Sequence, residues 1–354
     1  MTTLKIKPIH IQATRQAEAR QAVLTKPAGS LGQLEVLAIQ LAGHQGTVCP
    51  TLCRPWISVF AADHGIAEEG VSAFPSVVTQ EMVKNFASGG AAITVLANAY
   101  QAHFEVVDVG VLEDVTEQGR LPLPNLISDR VAKGSQSFLK APAMTDETVK
   151  AALKVGERAV SRALKAAADL FIAGEMGIGN TTSATALIAQ VCQIPVADIV
   201  GLGTGIDETQ KQHKATLIEQ AQAFHQANMK DPLSILACLG GLEIAALVGA
   251  YLACAQKGLT IVVDGMIACS AALITCEMLP EAKLWMVFAH ASVEPAQQAV
   301  FERLEVQPLL NLSLRLGEGS GAALAIPLIQ AACLLHQQMA TFTEANVSEG
   351  AVGG

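Results

Sequence analysis

The chain has 354 residues, 51% of them apolar and only 16% charged, which permits a large buried core and argues against a disordered chain. Its 23 Lys and Arg against 32 Asp and Glu give a formal charge of −9, which leaves no basic footprint for nucleic acid. At about 150 residues per domain, the length predicts roughly two domains.

The N-terminal MTTLKIKPIHIQATRQ has no apolar h-region, so no secretory signal is visible and a cytoplasmic protein is expected. Lys26-Pro27-Ala28-Gly29 reads as a turn. Ser30 followed by Gln33 has the pattern of a capping box, and Leu34, Leu37, Ala38 and Leu41 then recur at helical spacing. From about Trp56, short apolar runs ending in Gly, Asp or His alternate with longer Ala-rich stretches. Strands are expected at 56–61, 104–109, 169–173, 259–263 and 284–288, with 199–202 a weaker candidate. Runs that are apolar on both faces indicate a parallel sheet covered on both sides, with ligands at its C-terminal strand ends. The first helix and the last, at about 324–339, flank this α/β core without strands of their own. A large α/β domain over 54–295 and a small helical domain built from both chain ends, 1–53 and 296–354, would account for that. The tail from Thr341 is polar and is expected to fray.

Mean hydropathy is high, at +0.38. The window 233–256 holds Glu243, 259–276 holds Asp264, and 322–336 is short and holds Pro327. All three are read as buried elements rather than membrane spans. The eight cysteines are read as reduced core residues. Cys49 and Cys53 have neither a second pair nor a His at finger spacing, so no metal site is expected.

The chemistry-bearing residues lie just after the predicted strands. Asp63-His64-Gly65 could mark a metal or a His base, although the sequence shows no partner for that His, or Asp63 could cap a loop while His64 donates to backbone. Gly174-Glu175-Met176-Gly177-Ile178-Gly179 runs into Asn180-Thr181-Thr182, which opens an Ala-rich helix. Small residues there let the backbone approach an anion, although the spacing matches neither the Walker A nor the dinucleotide pattern. Gly201, Gly203 and Gly205 form a second glycine loop with Lys214 nearby, and the two loops could together cradle a phosphate. Asp264 and His290 could simply cap helices. Glu318 stands between glycines at the start of an apolar helix, whose dipole would hold it ionised and able to take a proton.

Taken together, KPAGSLGQLE (26–35), ADHGIAEEGVSAFPSVVT (62–79), GEMGIGNTT (174–182), VDGMIACSAAL (263–273) and RLGEGSGAALA (315–325) resemble the nicotinate-nucleotide–dimethylbenzimidazole phosphoribosyltransferase family of cobalamin lower-ligand assembly. The motifs run in order across nearly the whole chain, and RLGEGSGAAL is highly specific. The resemblance implies a Rossmann-like large domain, a small helical domain from both chain ends, and a homodimer. It also implies a reaction in which nicotinate mononucleotide and dimethylbenzimidazole give α-ribazole phosphate and nicotinate, with no metal or redox cofactor. By the family pattern Glu318 is the general base and Glu175 a second active-site acid. Gly177, Asn180, Thr181, Thr182, Gly203, Lys214, Ser292 and Gly317 fall where the family holds phosphate and ribose. Phe74, Met82 and Leu316 fall at the base pocket, where Phe74 replaces a Tyr or Ser and Met82 stands where a Gln is common. Other acceptors, a purine or a phenol, are therefore open. A nucleotide N-glycosidic hydrolase and a non-enzymatic nucleotide-binding module are the competing readings, and the missing Asp-rich calcium cluster counts against the first.

Overall fold

Every position of Pro55–Ala62 (β1) is buried, as a strand covered on both faces requires. It pairs into a six-stranded sheet with His103–Gly110 (β2), Leu126–Ser128 (β3), Leu170–Met176 (β4), Thr260–Val263 (β5) and Met286–Phe288 (β6). The order is β3-β2-β1-β4-β5-β6, and every pairing is parallel. Strand order reverses between β1 and β4, the switch point at which such sheets open a crevice beyond their C-terminal ends. The computed structural model describes residues 5–348 except 116–122, 202, 204 and 206.

Alternation along β1 divides the core in two. Trp56, Phe60 and Ala62 join a cluster with Phe171, Val155 and Leu247, so the helices Asp146–Lys165 and Leu242–Lys257 cover that face. Ile57, Val59 and Ala61 join a second cluster with Phe86, Leu41 and Ile326, which places the helices Val77–Ser88, Gln33–Gln45 and Ser320–Gln338 on the other face. The chain ends meet there. Arg20 donates to the carbonyls of His336 (2.7 Å) and Gln337 (2.8 Å), and Leu24 bridges to Thr341.

Five of the expected strands form, with residues 284–285 instead closing the short helix Pro280–Trp285. The weaker candidate at 199–202 does not. Pro195 opens a helical turn over Val196–Ile199, and Leu202 lies outside the described residues. The sixth strand is β3, too short for an alternation to register. The pattern also did not reveal a separate parallel pair, His290–Ser292 (β7) and Leu310–Leu314 (β8), and the N-terminal region carries the helix Ile11–Val23. Ser30 does not cap its helix. Gly32 occupies the cap, and Glu35 reaches back to the Leu31 amide while pairing with Lys26 at 2.8 Å. The tail holds one more turn, Phe342–Ala345, closed by a reciprocal Thr341–Glu344 capping box, so it does not fray from Thr341 as expected. All eight cysteines are free, but Cys49 and Cys53 are exposed rather than in the core. Ser320–Gln338 is long and apolar enough to cross a membrane, yet Ala322, Ile326 and Ile329 are spent on the sheet face.

Candidate active site

At the switch point β4 delivers Glu175 into a crevice, and the loop 177–179 leads into the helix Asn180–Cys192. Asn180 Nδ2 donates to one oxygen of Glu175, and the Glu318 amide approaches the other at 3.4 Å. Burial pushes the Glu175 carboxyl well above its usual range, and the nearby Glu243 and Asp264 push it further.

Glu318 faces it from RLGEGSG. Gly317 (φ 84°), Glu318 (φ 65°) and Gly319 (φ 88°) are all left-handed, so the loop turns sharply and presents the carboxylate before the helix begins. The helix dipole does not keep Glu318 strongly acidic as expected. The first amides go to Asp264 at the end of β5, whose Oδ2 accepts from Gly319 N (3.0 Å) and Oδ1 from Ala322 N (2.7 Å). Glu318 is left buried beside that negative charge. Burial first, then Asp264, raise its pKa to about 7, and a hydrogen bond from the Ile93 amide offsets this only in part. Its Oε2 is buried without a hydrogen-bond partner among the described residues. A carboxylate of this pKa suits proton abstraction at neutral pH.

Asp264 therefore does cap a helix, though one that starts 55 residues away. Its Oδ1 also lies 3.5 Å from His290 Nε2. Burial alone would lower the His290 imidazole, but the Asp264 carboxylate holds it above the usual value. Gln297 ties this side together, accepting from Ser292 N at 2.5 Å and donating to the His290 carbonyl at 3.0 Å.

Besides Glu318, the cavity is lined by Gly177, Asn180, Thr181, Gly203, Ser292, Leu316 and Gly317. Lys214, on the helix Glu208–His225, is buried and donates from Nζ to Thr181 Oγ1 at 3.0 Å. Burial lowers its pKa to about 8, with Glu294 opposing. Thr182 is fully buried and does not line the cavity, and neither do Phe74 and Met82. Phe74 is 49% exposed, and Met82 leans on the second core cluster. Their segment still touches the site, because Thr79 accepts from the Ile178 amide at 3.1 Å and Ile93 reaches Glu318. Sequence reasoning did not single out Met176, Met266, Glu294 or Arg315 as lining residues, nor Gln297 behind them. Only position after a strand could have suggested the first two.

A family model described as phosphoribosyltransferase (DBI_PRT) matches residues 6–347. The chain belongs to that family. A nicotinate-nucleotide–dimethylbenzimidazole phosphoribosyltransferase of Pseudomonas putida KT2440 is 51% identical over 97% of this chain and 96% of its own length. A relative of the same name from Pseudomonas fluorescens SBW25 is 52% identical over the same shares. Among solved structures, CobT from Thermus thermophilus superposes with a TM-score of 0.91 at 42% identity, covering 96% of this chain and 100% of that one. The chain is thus a phosphoribosyltransferase.

Proposed function

We propose that the protein transfers the phosphoribosyl group of nicotinate mononucleotide to dimethylbenzimidazole, giving α-ribazole phosphate and nicotinate with inversion at the anomeric carbon. The observation that carries this reading is a carboxylate of pKa about 7 facing an amide-rich loop across one cavity. The phosphate rests on the start of the helix Asn180–Cys192, with the Lys214 ammonium behind Thr181. The bond from ribose to the nicotinate nitrogen breaks with its electron pair going to that nitrogen. A pyridinium thereby leaves as a neutral ring and needs no acid. The acceptor's unprotonated nitrogen forms the new bond on the opposite ribose face, and the proton on its other nitrogen passes to Glu318. Glu175, whose carboxyl burial pushes upward, lines the same cavity as a second acid beside the sugar. The family resemblance further supports a cytoplasmic homodimer acting on small molecules.

The deciding experiment incubates the purified protein with nicotinate mononucleotide, with and without dimethylbenzimidazole, and identifies products by chromatography and mass. Acceptor-dependent nicotinate release with an α-ribotide is expected. Release without acceptor would make the protein a hydrolase, and release only with another base or a phenol would move the acceptor class.

The same assay has an expected pH profile. Glu318 must be ionised, so kcat/KM for the nucleotide rises with pH through about 7. Lys214 must be charged to hold the phosphate, so kcat/KM falls again above about 8. Loss of the acid limb in Glu318→Gln, with the alkaline limb retained, would assign the two sides. A profile flat across the neutral range in the wild type would contradict both assignments.

A further inference from the structure

We propose that Glu243, His64 and Ser183 form a buried positioning chain that fixes the phosphate cradle from beneath, so that nucleotide affinity depends on three residues outside the cavity. The inference rests on reading 177–181 as the seat of a nucleotide phosphate. His64 follows β1 at the switch point. Its Nε2 lies 2.6 Å from Glu243 Oε1 and its Nδ1 3.0 Å from Ser183 Oγ, and the His64 and Glu243 side chains are wholly buried. Glu243 sits in the first turn of Leu242–Lys257 and Ser183 in the first turn of Asn180–Cys192, so one imidazole joins two helix starts to the end of β1.

The ring has nowhere to go. A Cβ on Gly177 would come within 3.2 Å of His64 Cδ2, and one on Gly241 within 2.1 Å of Cε1. The imidazole is thus gripped between the cradle loop and the helix start that carries Glu243, and moving it moves the loop. A second strut runs in parallel. Asp63, beside His64, accepts from Leu112 N at 2.8 Å and hydrogen-bonds Thr79, which in turn accepts from the Ile178 amide. Both residues of the ADHG motif thus act on 177–183 rather than on substrate.

The chemistry follows from the acceptor at one end. A Glu243 carboxylate takes the Nε2–H and fixes the tautomer, which leaves Nδ1 to accept the Ser183 hydroxyl. Ser183 then pins the first helical turn, whose N–H groups must already be aimed when the phosphate arrives. Aligning those donors before binding removes an ordering cost from association. A buried pair that served only the fold would alter stability and leave nucleotide affinity alone.

Glu243→Gln keeps the side chain's shape, and Ser183→Ala removes a single hydroxyl. In the full chain, nucleotide binding by calorimetry, kcat, both KM values and the melting temperature should be measured. Each variant is expected to bind nicotinate mononucleotide about tenfold more weakly, with a matching rise in its KM, while kcat and the dimethylbenzimidazole KM stay within about threefold. Inorganic phosphate, as a competitor, should weaken by the same factor, and the double variant should be no worse than Glu243→Gln because both changes act through one chain. Unchanged nucleotide affinity in folded variants, or a fall in kcat at constant KM, would overturn the proposal. If Glu243→Gln does not fold, Ser183→Ala decides alone. Should the wild type bind the nucleotide with this dependence yet release no nicotinate with the acceptor, the positioning chain stands and the transferase reading falls.

Discussion

Glu318→Gln is expected to lower kcat by roughly 10²–10⁴, the usual worth of a positioned general base. The amide retains the volume of the side chain and can still accept from Ile93 N, so the loop 317–319 should keep its form. What it loses is the capacity to take a proton. The KM for the nucleotide should change little, because the proposed phosphate seat is the loop 177–181, with Lys214 behind Thr181, and not Glu318. Folding should not suffer either, since a carboxylate that burial has pushed to about 7 costs the folded state when ionised. Steady-state kinetics with a thermal melt separate these effects. Wild-type turnover in this variant would remove Glu318 from the proton transfer.

Gly174→Ala is expected to lower turnover by about 10²-fold without touching any cavity-lining side chain. A Cβ at 174 would stand 2.2 Å from the Glu318 carbonyl oxygen and 2.5 Å from its carbon. Both clashing atoms are backbone, so no side-chain rotation relieves them. Gly174 belongs to β4 and pairs with Val59 of β1, and the sheet is the more rigid partner. The loop 317–319 must therefore retreat and take the base with it. Overpacking of this kind also costs about 1–3 kcal/mol of stability. The informative comparison is between kcat and nucleotide affinity. A large loss of the first with the second intact is expected, while equal losses would mean that the whole crevice had collapsed.

Five strands were legible because continuous apolar runs ending in Gly or Asp are what a doubly covered parallel sheet requires. Three-residue strands such as 126–128 and 290–292 carry no periodicity and could not be seen. In the site, glycines on both sides marked Glu318 as unusual, whereas Glu175 was singled out only through the family resemblance. Their electrostatics did not show, because the deciding charge, Asp264, arrives from another strand and takes the helix amides that a local reading assigns to Glu318. The choice between base and brace for His64 was likewise open, since its partner Glu243 lies 179 positions away. Spacing rules reach one turn or one hairpin, and these contacts exist only once the sheet has closed.

The left-handed run at 317–319 has an evolutionary side. Glycine is at ease at its two ends, but the middle position holds a glutamate, for which such a backbone costs about 1–2 kcal/mol. Selection for a stable fold favours glycine or asparagine there, whereas selection for turnover favours the carboxylate. Drift at position 318 would thus be asymmetric. A lineage released from the need for catalysis would lose this glutamate early and gain a sturdier protein in doing so, while one that regained the activity would first have to surrender some of that sturdiness.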